Sequence, residues 1–194
     1  MVFSSSKENP TSRVGITKRG GDKKPPQTIK EKRMKETEIE KRYLITDGKA
    51  KEILANNQGV EGVYMIDFYI PNNRNHMDLR LRKKGNEYCI TRKTPVEEGV
   101  MSETTIEINE REFEELSKGL VNSVCKTRYK VDYLGYKAEL DEYDERHKGL
   151  IVLEIEFPDK QSYDEFTIEQ QEGLEDITGV EEYAAGKLAE IKTL

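Results

Sequence analysis

The chain has 194 residues, 35% hydrophobic and 36% charged, with 32 Lys+Arg against 38 Asp+Glu, two Cys and no Trp. That is the length of one domain with an appendage, carrying more charge than the usual ~25%. No apolar stretch approaches the ~18 residues of a membrane span, no secretory h-region opens the chain, and two cysteines make no disulfide framework, so a cytoplasmic protein is expected.

Residues 1–35 hold ten bases and three acids, whereas the other 159 residues hold 22 bases and 35 acids. The first segment is rich in Ser, Gly and Pro (Ser4-Ser5-Ser6, Gly20-Gly21, Pro25-Pro26) and has no apolar period. It can bury too little surface to offset its ordering entropy, so 1–35 is predicted as a disordered basic tail and 36–194 as the folded domain. Such a tail reads first as a solvated linker, and a functional one would contact the phosphates of nucleic acid or polyphosphate.

Glu38–Ile45 alternates as a strand, and Asp47 offers an N-cap for a helix through Asn57 that Gly59 closes. Val60–Ile70 is β-branched and aromatic and stops at Pro71 and Asn72-Asn73. Met77–Lys83 and Glu87–Lys93 flank Lys84-Gly85-Asn86, a hairpin signal. Met101–Ile108 is a strand and Glu110–Lys118 a helix. Val121–Leu134, Tyr136–Tyr143 and Leu150–Phe157 complete a set of eight strands, before helical pieces at Tyr163–Phe166 and Val180–Ile191. Strands joined by short turns argue for an antiparallel sheet and an α+β fold.

Residues of equal parity share a strand face. Glu38, Glu40 and Arg42 fall on one face, as do Asp78, Arg80 and Arg82; Lys126, Arg128 and Lys130; Glu139 and Asp141; and Glu154 and Glu156. The opposite faces are largely apolar, for example Leu79 and Leu81, or Leu153, Ile155 and Phe157. A sheet with one wet face gives the same alternation. Here, however, like charges neighbour one another within a strand, and their repulsion asks for a ligand or an opposing strand. Closed inward, such a sheet would face a polyanion with bases and hard divalent cations with carboxylates, the combination phosphoryl transfer requires. Cys89 and Cys125 fall on opposite faces, which disfavours a disulfide between them. His76 and His147 have no metal-ligand spacing and read as surface residues. Most of the ten tyrosines read as core or rim.

An ordered set of segments resembles the CYTH superfamily, the triphosphate tunnel metalloenzymes. Glu38-Ile39-Glu40-Lys41-Arg42 is similar to its E-x-E-x-K strand. The likeness continues through Leu79-Arg80-Leu81-Arg82, Thr91-Arg92-Lys93, Lys126-Thr127-Arg128-Tyr129, Glu139-Leu140-Asp141 and Leu153–Phe157, and ends in Asp176-Ile177-Thr178 and Ala184–Leu188. The resemblance implies an eight-stranded antiparallel β-barrel, a tunnel with a charged lumen and peripheral helices, that binds a triphosphate inside. It implies Glu38, Glu40, Asp141, Glu154 and Glu156 as ligands of Mg²⁺ or Mn²⁺. Arg42, Arg80, Arg82, Lys93 and Arg128 would bind phosphate, and Lys126 would orient or deprotonate the attacking water. Glu38 and Glu40 thereby join Lys126 in the catalytic set. Glu103 and Glu139 are lumen support. Two positions depart from the pattern: Arg42 replaces a lysine, and Thr105 stands where many members have an acid, with Glu107 a substitute of the same parity.

The expected activity is metal-dependent hydrolysis of an inorganic or small organic triphosphate. One alternative is a class IV adenylyl cyclase, many of which carry a His-Phe pair before the first strand where this chain has Lys32 and Arg33. The other is a non-catalytic polyphosphate- or nucleotide-binding module.

Overall fold

The computed structural model describes residues 33–71, 77–168 and 173–190, with side chains from residue 37 onward. Most of the expected basic tail, and His76, therefore lie outside the described residues. Nine strands form one antiparallel sheet: β1 (Arg33–Ile45), β2 (Val63–Tyr69), β3 (Leu79–Lys84), β4 (Glu87–Glu97), β5 (Val100–Ile108), β6 (Ser123–Tyr133), β7 (Tyr136–Tyr143), β8 (Ile151–Glu156) and β9 (Leu174–Asp176). The order is β5-β4-β3-β2-β6-β7-β8-β1-β9, and a further pairing of β5 with β1 closes the first eight into a barrel. The first half of β1 pairs with β5 (Glu38 opposite Met101) and the second half with β8 (Arg42 opposite Glu154), so this long strand is the seam. It begins at Arg33, inside the stretch expected to be tail.

Local chemistry sets the boundaries. Helix α1 (Asp47–Asn56) is capped by Thr46, whose hydroxyl accepts from the Lys49 amide at 3.3 Å; the expected cap, Asp47, is instead the first helical residue. Asn109 and Glu112 form a reciprocal capping box at the start of α2 (Glu110–Ser117). Gly85, at φ +56°, makes the two-residue turn between β3 and β4. The strand expected from Met77 begins at Leu79. The expected C-terminal helix is a 3-10 turn at Glu181–Tyr183 followed by α4 (Ala185–Leu188). Strand β9 was not expected, three residues being too few for periodicity to register.

Because the lumen is charged, the main hydrophobic core lies outside the barrel. Tyr43, Ile45, Val131, Leu140, Leu153 and Ile155 point outward and are covered by Ala50 and Ile53 of α1, and by Phe157, Tyr163 and Phe166 around α3 (Lys160–Glu165). A second apolar cluster fills one end of the lumen. There the inward positions turn apolar: Tyr69, Val124, Tyr143 and Val152 pack with Met77, Ile177 and Ala189, and with Leu44 at their edge. Met77 thus belongs to this plug and not to the outward face of a strand. Leu153 is fully buried in the outer core, so Leu153→Ala should lower unfolding free energy by about 2–5 kcal/mol, read from urea denaturation midpoints.

Candidate active site

Two buried acids, Asp67 and Asp141, and the partly buried Glu154 organise the lumen's bases. Asp67 on β2, only 1% exposed, accepts two bonds from Arg82: Nε to Oδ1 at 2.7 Å and Nη2 to Oδ2 at 2.8 Å. Arg80 Nη1 stands 3.8 Å from the same carboxylate. Burial alone would raise the Asp67 pKa, but Arg82 and Arg80 outweigh it and hold the group far below the usual carboxylate range. On the far side of β2, Asp141 of β7 accepts from Lys126 Nζ, from Arg128 Nε at 2.6 Å and from Arg128 Nη2 at 2.5 Å. Glu154 of β8 joins the two halves: Oε2 accepts from Arg128 Nη2 at 2.8 Å and Oε1 from Arg42 Nε at 3.0 Å. Burial works against both carboxylates as anions, yet Arg128, helped by Lys126 at Asp141 and by Arg42 at Glu154, keeps both pKa values low. Lys126 is pushed the other way. Its burial and the adjacent Arg128 lower the ammonium pKa in spite of Asp141.

The opposing wall is acidic. Lys93 on β4 reaches Glu38 at 2.8 Å and Glu40 at 2.9 Å, bridging the two. Burial, together with Glu154 and Glu38, raises the Glu40 carboxyl even with Lys93 beside it. Glu156 is raised by burial and by Glu139, Glu38 and Glu40. Among the described residues no base stands within 4 Å of its carboxylate. Glu139 accepts from Arg128 Nη1. Thr105, in the place of an expected acid, donates to Glu103 Oε1 at 3.0 Å and contacts the Thr91 hydroxyl at 3.0 Å. Glu103 Oε2 in turn lies 3.5 Å from Arg80 Nη2, so the threonine orients an acid instead of adding one. Glu107 is exposed and lies off the cavity.

These walls enclose about 410 Å³, lined by Glu38, Glu40, Arg42, Arg80, Arg82, Lys93, Glu103, Lys126, Arg128, Glu139, Glu154 and Glu156 among others. The volume suits a small ligand. Every expected site residue is therefore at this cavity, except Asp141, which lies fully buried behind the bases it holds. Arg42 spans two structures, since its Nη2 also donates to the Tyr183 carbonyl at 3.1 Å. That bond ties the lumen to the C-terminal segment, whose Ala184, Ala185 and Gly186 form the cavity floor. His147, expected at the surface, is half-buried with Nε2 2.8 Å from the Leu188 carbonyl, and fastens the same segment. Cys89 and Cys125 lie on opposite faces of the barrel wall, Cys125 buried and Cys89 3.7 Å from the Thr91 hydroxyl.

Sequence reasoning missed Asp67. Its signal was present, a lone acid within the apolar run Val63–Tyr69 at the parity of Met65 and Tyr69. Lys84 also lines the cavity, one step beyond Arg82 at the same parity.

The site therefore sits inside a closed antiparallel barrel with opposed basic and acidic inner walls. The CYTH domain matches residues 36–184, and the chain belongs to that family. Among solved structures, it resembles the inorganic triphosphatase NE1496 at 26% identity and TM-score 0.55, over 78% of this chain and 93% of that one. A candidate adenylate cyclase from Bacillus halodurans shares the fold at 16% identity and TM-score 0.56, over 67% of this chain and 85% of that one. A conserved hypothetical protein from Pyrococcus furiosus shares it at 20% identity and TM-score 0.52, over 66% and 82%. No curated protein matches the sequence.

Because the Asp67 pKa is depressed on folding, its contribution to stability is full above the unfolded carboxylate value of about 3.9 and is lost as pH falls toward the folded value. Asp67→Asn leaves two buried guanidinium groups without their counter-ion, so it should cost about 3–5 kcal/mol at neutral pH. The gap between the variant and the parent protein should narrow progressively below about pH 4, measured by urea unfolding across pH.

Proposed function

We propose that the chain hydrolyses a phosphoanhydride bond of a triphosphate, inorganic or carrying a small organic group, with Mg²⁺ or Mn²⁺ as cofactor. The observation that carries this reading is a walled cavity with guanidinium groups on one side and under-neutralised carboxylates on the other. Among the described residues no three acids are drawn into a finished metal cage. The acid wall nevertheless suits a cation: the Lys93 ammonium already bridges Glu38 and Glu40, and Glu40 and Glu156 retain raised pKa values. Glu38, Glu40, Glu154 and Glu156 would hold the metal. Asp141, with both oxygens bonded to Lys126 and Arg128, contributes by fixing those bases. Bound there, a divalent ion would neutralise phosphate oxygens and acidify water.

The chain's own groups account for the rest. Arg80, Arg82 and Arg128 hold rigid forks that match phosphate oxygens, and the buried Arg80 Nε has no acceptor among the described residues. Arg42 and Lys93 would complete the grip. Their pairing with fixed acids means that little reorganisation is needed as charge develops, which is the main source of catalysis expected in such a site. Lys126, with its lowered pKa, would orient the attacking water or take its proton. The apolar plug limits water at the deep end. The basic tail and the cytoplasmic setting belong to the same proposal as a polyanion contact and a location.

Incubation with Mg²⁺ or Mn²⁺ and, separately, inorganic triphosphate, thiamine triphosphate and ATP, followed by phosphorus NMR, should give orthophosphate with a diphosphate product. Cyclic AMP from ATP would instead make the protein a cyclase, and binding without turnover a receptor. Glu38→Ala and Arg82→Ala should each lower kcat/KM by at least roughly a hundredfold; near-normal turnover in both variants would refute the assignment. If Lys126 acts as a base, kcat rises with pH through its lowered pKa. Lys126→Arg, which stays protonated, should lose that rising limb.

A further inference from the structure

The cationic ladders are longer than a triphosphate needs. On β3 the inward positions are Arg80, Arg82 and Lys84, and on β6 they are Lys126, Arg128 and Lys130. Four residues of a strand cover ~13 Å, more than the two P–O–P links of a triphosphate reach. Deep in the lumen every base is matched: Asp67 holds Arg82 and Arg80, and Asp141 holds Lys126 and Arg128. The outer rungs differ. Among the described residues Lys84 has no carboxylate within ion-pair distance. Among the described residues, Lys130, with its side chain 72% exposed, has only Glu139 at 3.9 Å, an acid already bonded to Arg128. Burial first, then Lys130 and Arg128, disfavour the Lys84 ammonium, with Glu139 acting against them.

The two ends of the cavity also differ. Tyr69, Met77, Val124, Tyr143 and Val152 fill the deep end, and Arg42 pins the C-terminal segment over it. Among the described residues, a chain longer than three phosphates therefore has room toward the half-buried Lys84 and the exposed Lys130. Tyr69 is the one aromatic among the described residues lining the cavity, and it lies at the apolar end, so the described residues of the mouth offer no ring on which a base or heterocycle could stack.

We propose that Lys84 and Lys130 form a further phosphate subsite at the mouth, so that the cavity prefers a linear inorganic polyphosphate of four or more phosphates to one that ends in an organic group. This rests on the triphosphate reading above and extends it outward by one subsite. The facing acids are Glu139, between Arg128 and Lys130, and Glu38 and Glu156 on the opposite wall; an added phosphate would lie on the lysine side of them.

The test is isothermal titration of the full chain with inorganic triphosphate, inorganic tetraphosphate and ATP, in chelator so that no turnover intervenes. Tetraphosphate should bind roughly tenfold more tightly than triphosphate, and that advantage should shrink with added salt because the mouth is solvent-exposed. In the double variant Lys84→Gln, Lys130→Gln, affinity for tetraphosphate should fall roughly tenfold further than affinity for triphosphate, which abolishes the preference. Both lysines lie outside the buried ion pairs, so the variant's melting temperature should match the parent's. Equal losses for both ligands, no preference in the parent chain, or tighter binding of ATP than of tetraphosphate would overturn the subsite. If the parent neither binds nor turns over any of the three once Mg²⁺ is added back in excess of the chelator, the triphosphate reading itself fails, an outcome distinct from the others.

Discussion

Everything in this molecule depends on keeping guanidinium and ammonium groups charged inside a protein wall. An unpaired buried cation is costly to a degree no single domain tolerates, so each must meet a fixed anion. Asp67, Asp141 and Glu154 supply those anions, the first two buried and the third partly buried. Their effect is to aim the bases as well as to neutralise them. Arg82 is held by two bonds to one carboxylate, and Arg128 by bonds to Asp141, Glu154 and Glu139. A rigid fork so anchored presents its remaining edge in one direction.

A polar interior displaces the hydrophobic core. A barrel whose inner face is charged cannot collapse on itself, so its outer face must find cover. Helices α1 and α3 provide it, with Ala50, Ile53, Tyr163 and Phe166 packed on the outward side chains of β1, β6, β7 and β8. The second apolar cluster answers a different need. It replaces charge by hydrocarbon at one end of the lumen and gives the C-terminal segment something to pack on, with Arg42 and His147 fastening that segment through two carbonyls.

Much of this was legible in strand parity. The inward set on β1, β3, β6, β7 and β8 follows from alternation alone, because period two leaves no ambiguity once a strand is recognised. Closure into a barrel was not contained in parity and came from the family likeness. Asp67 escaped because one acid in an apolar run carries no pattern, and its meaning appears only when β2 is placed between β3 and β6. The plug was hidden for a related reason. Tyr69, Tyr143 and Val152 continue the inward faces of their strands, but an apolar residue at the end of a charged stripe looks like an ordinary boundary. Strand β9 and the broken C-terminal helix lie in segments too short for any period to develop.

Among the described residues, the apolar cluster at one end leaves the charged rungs of the cavity to be approached from the other. If a linear polyanion is cut there as proposed, the fragment nearer the lysines would depart first, and the inner fragment would stay among the arginines until the passage clears. The occupancy of the inner position, and not the strength of any one contact, would then set when the cavity accepts the next molecule.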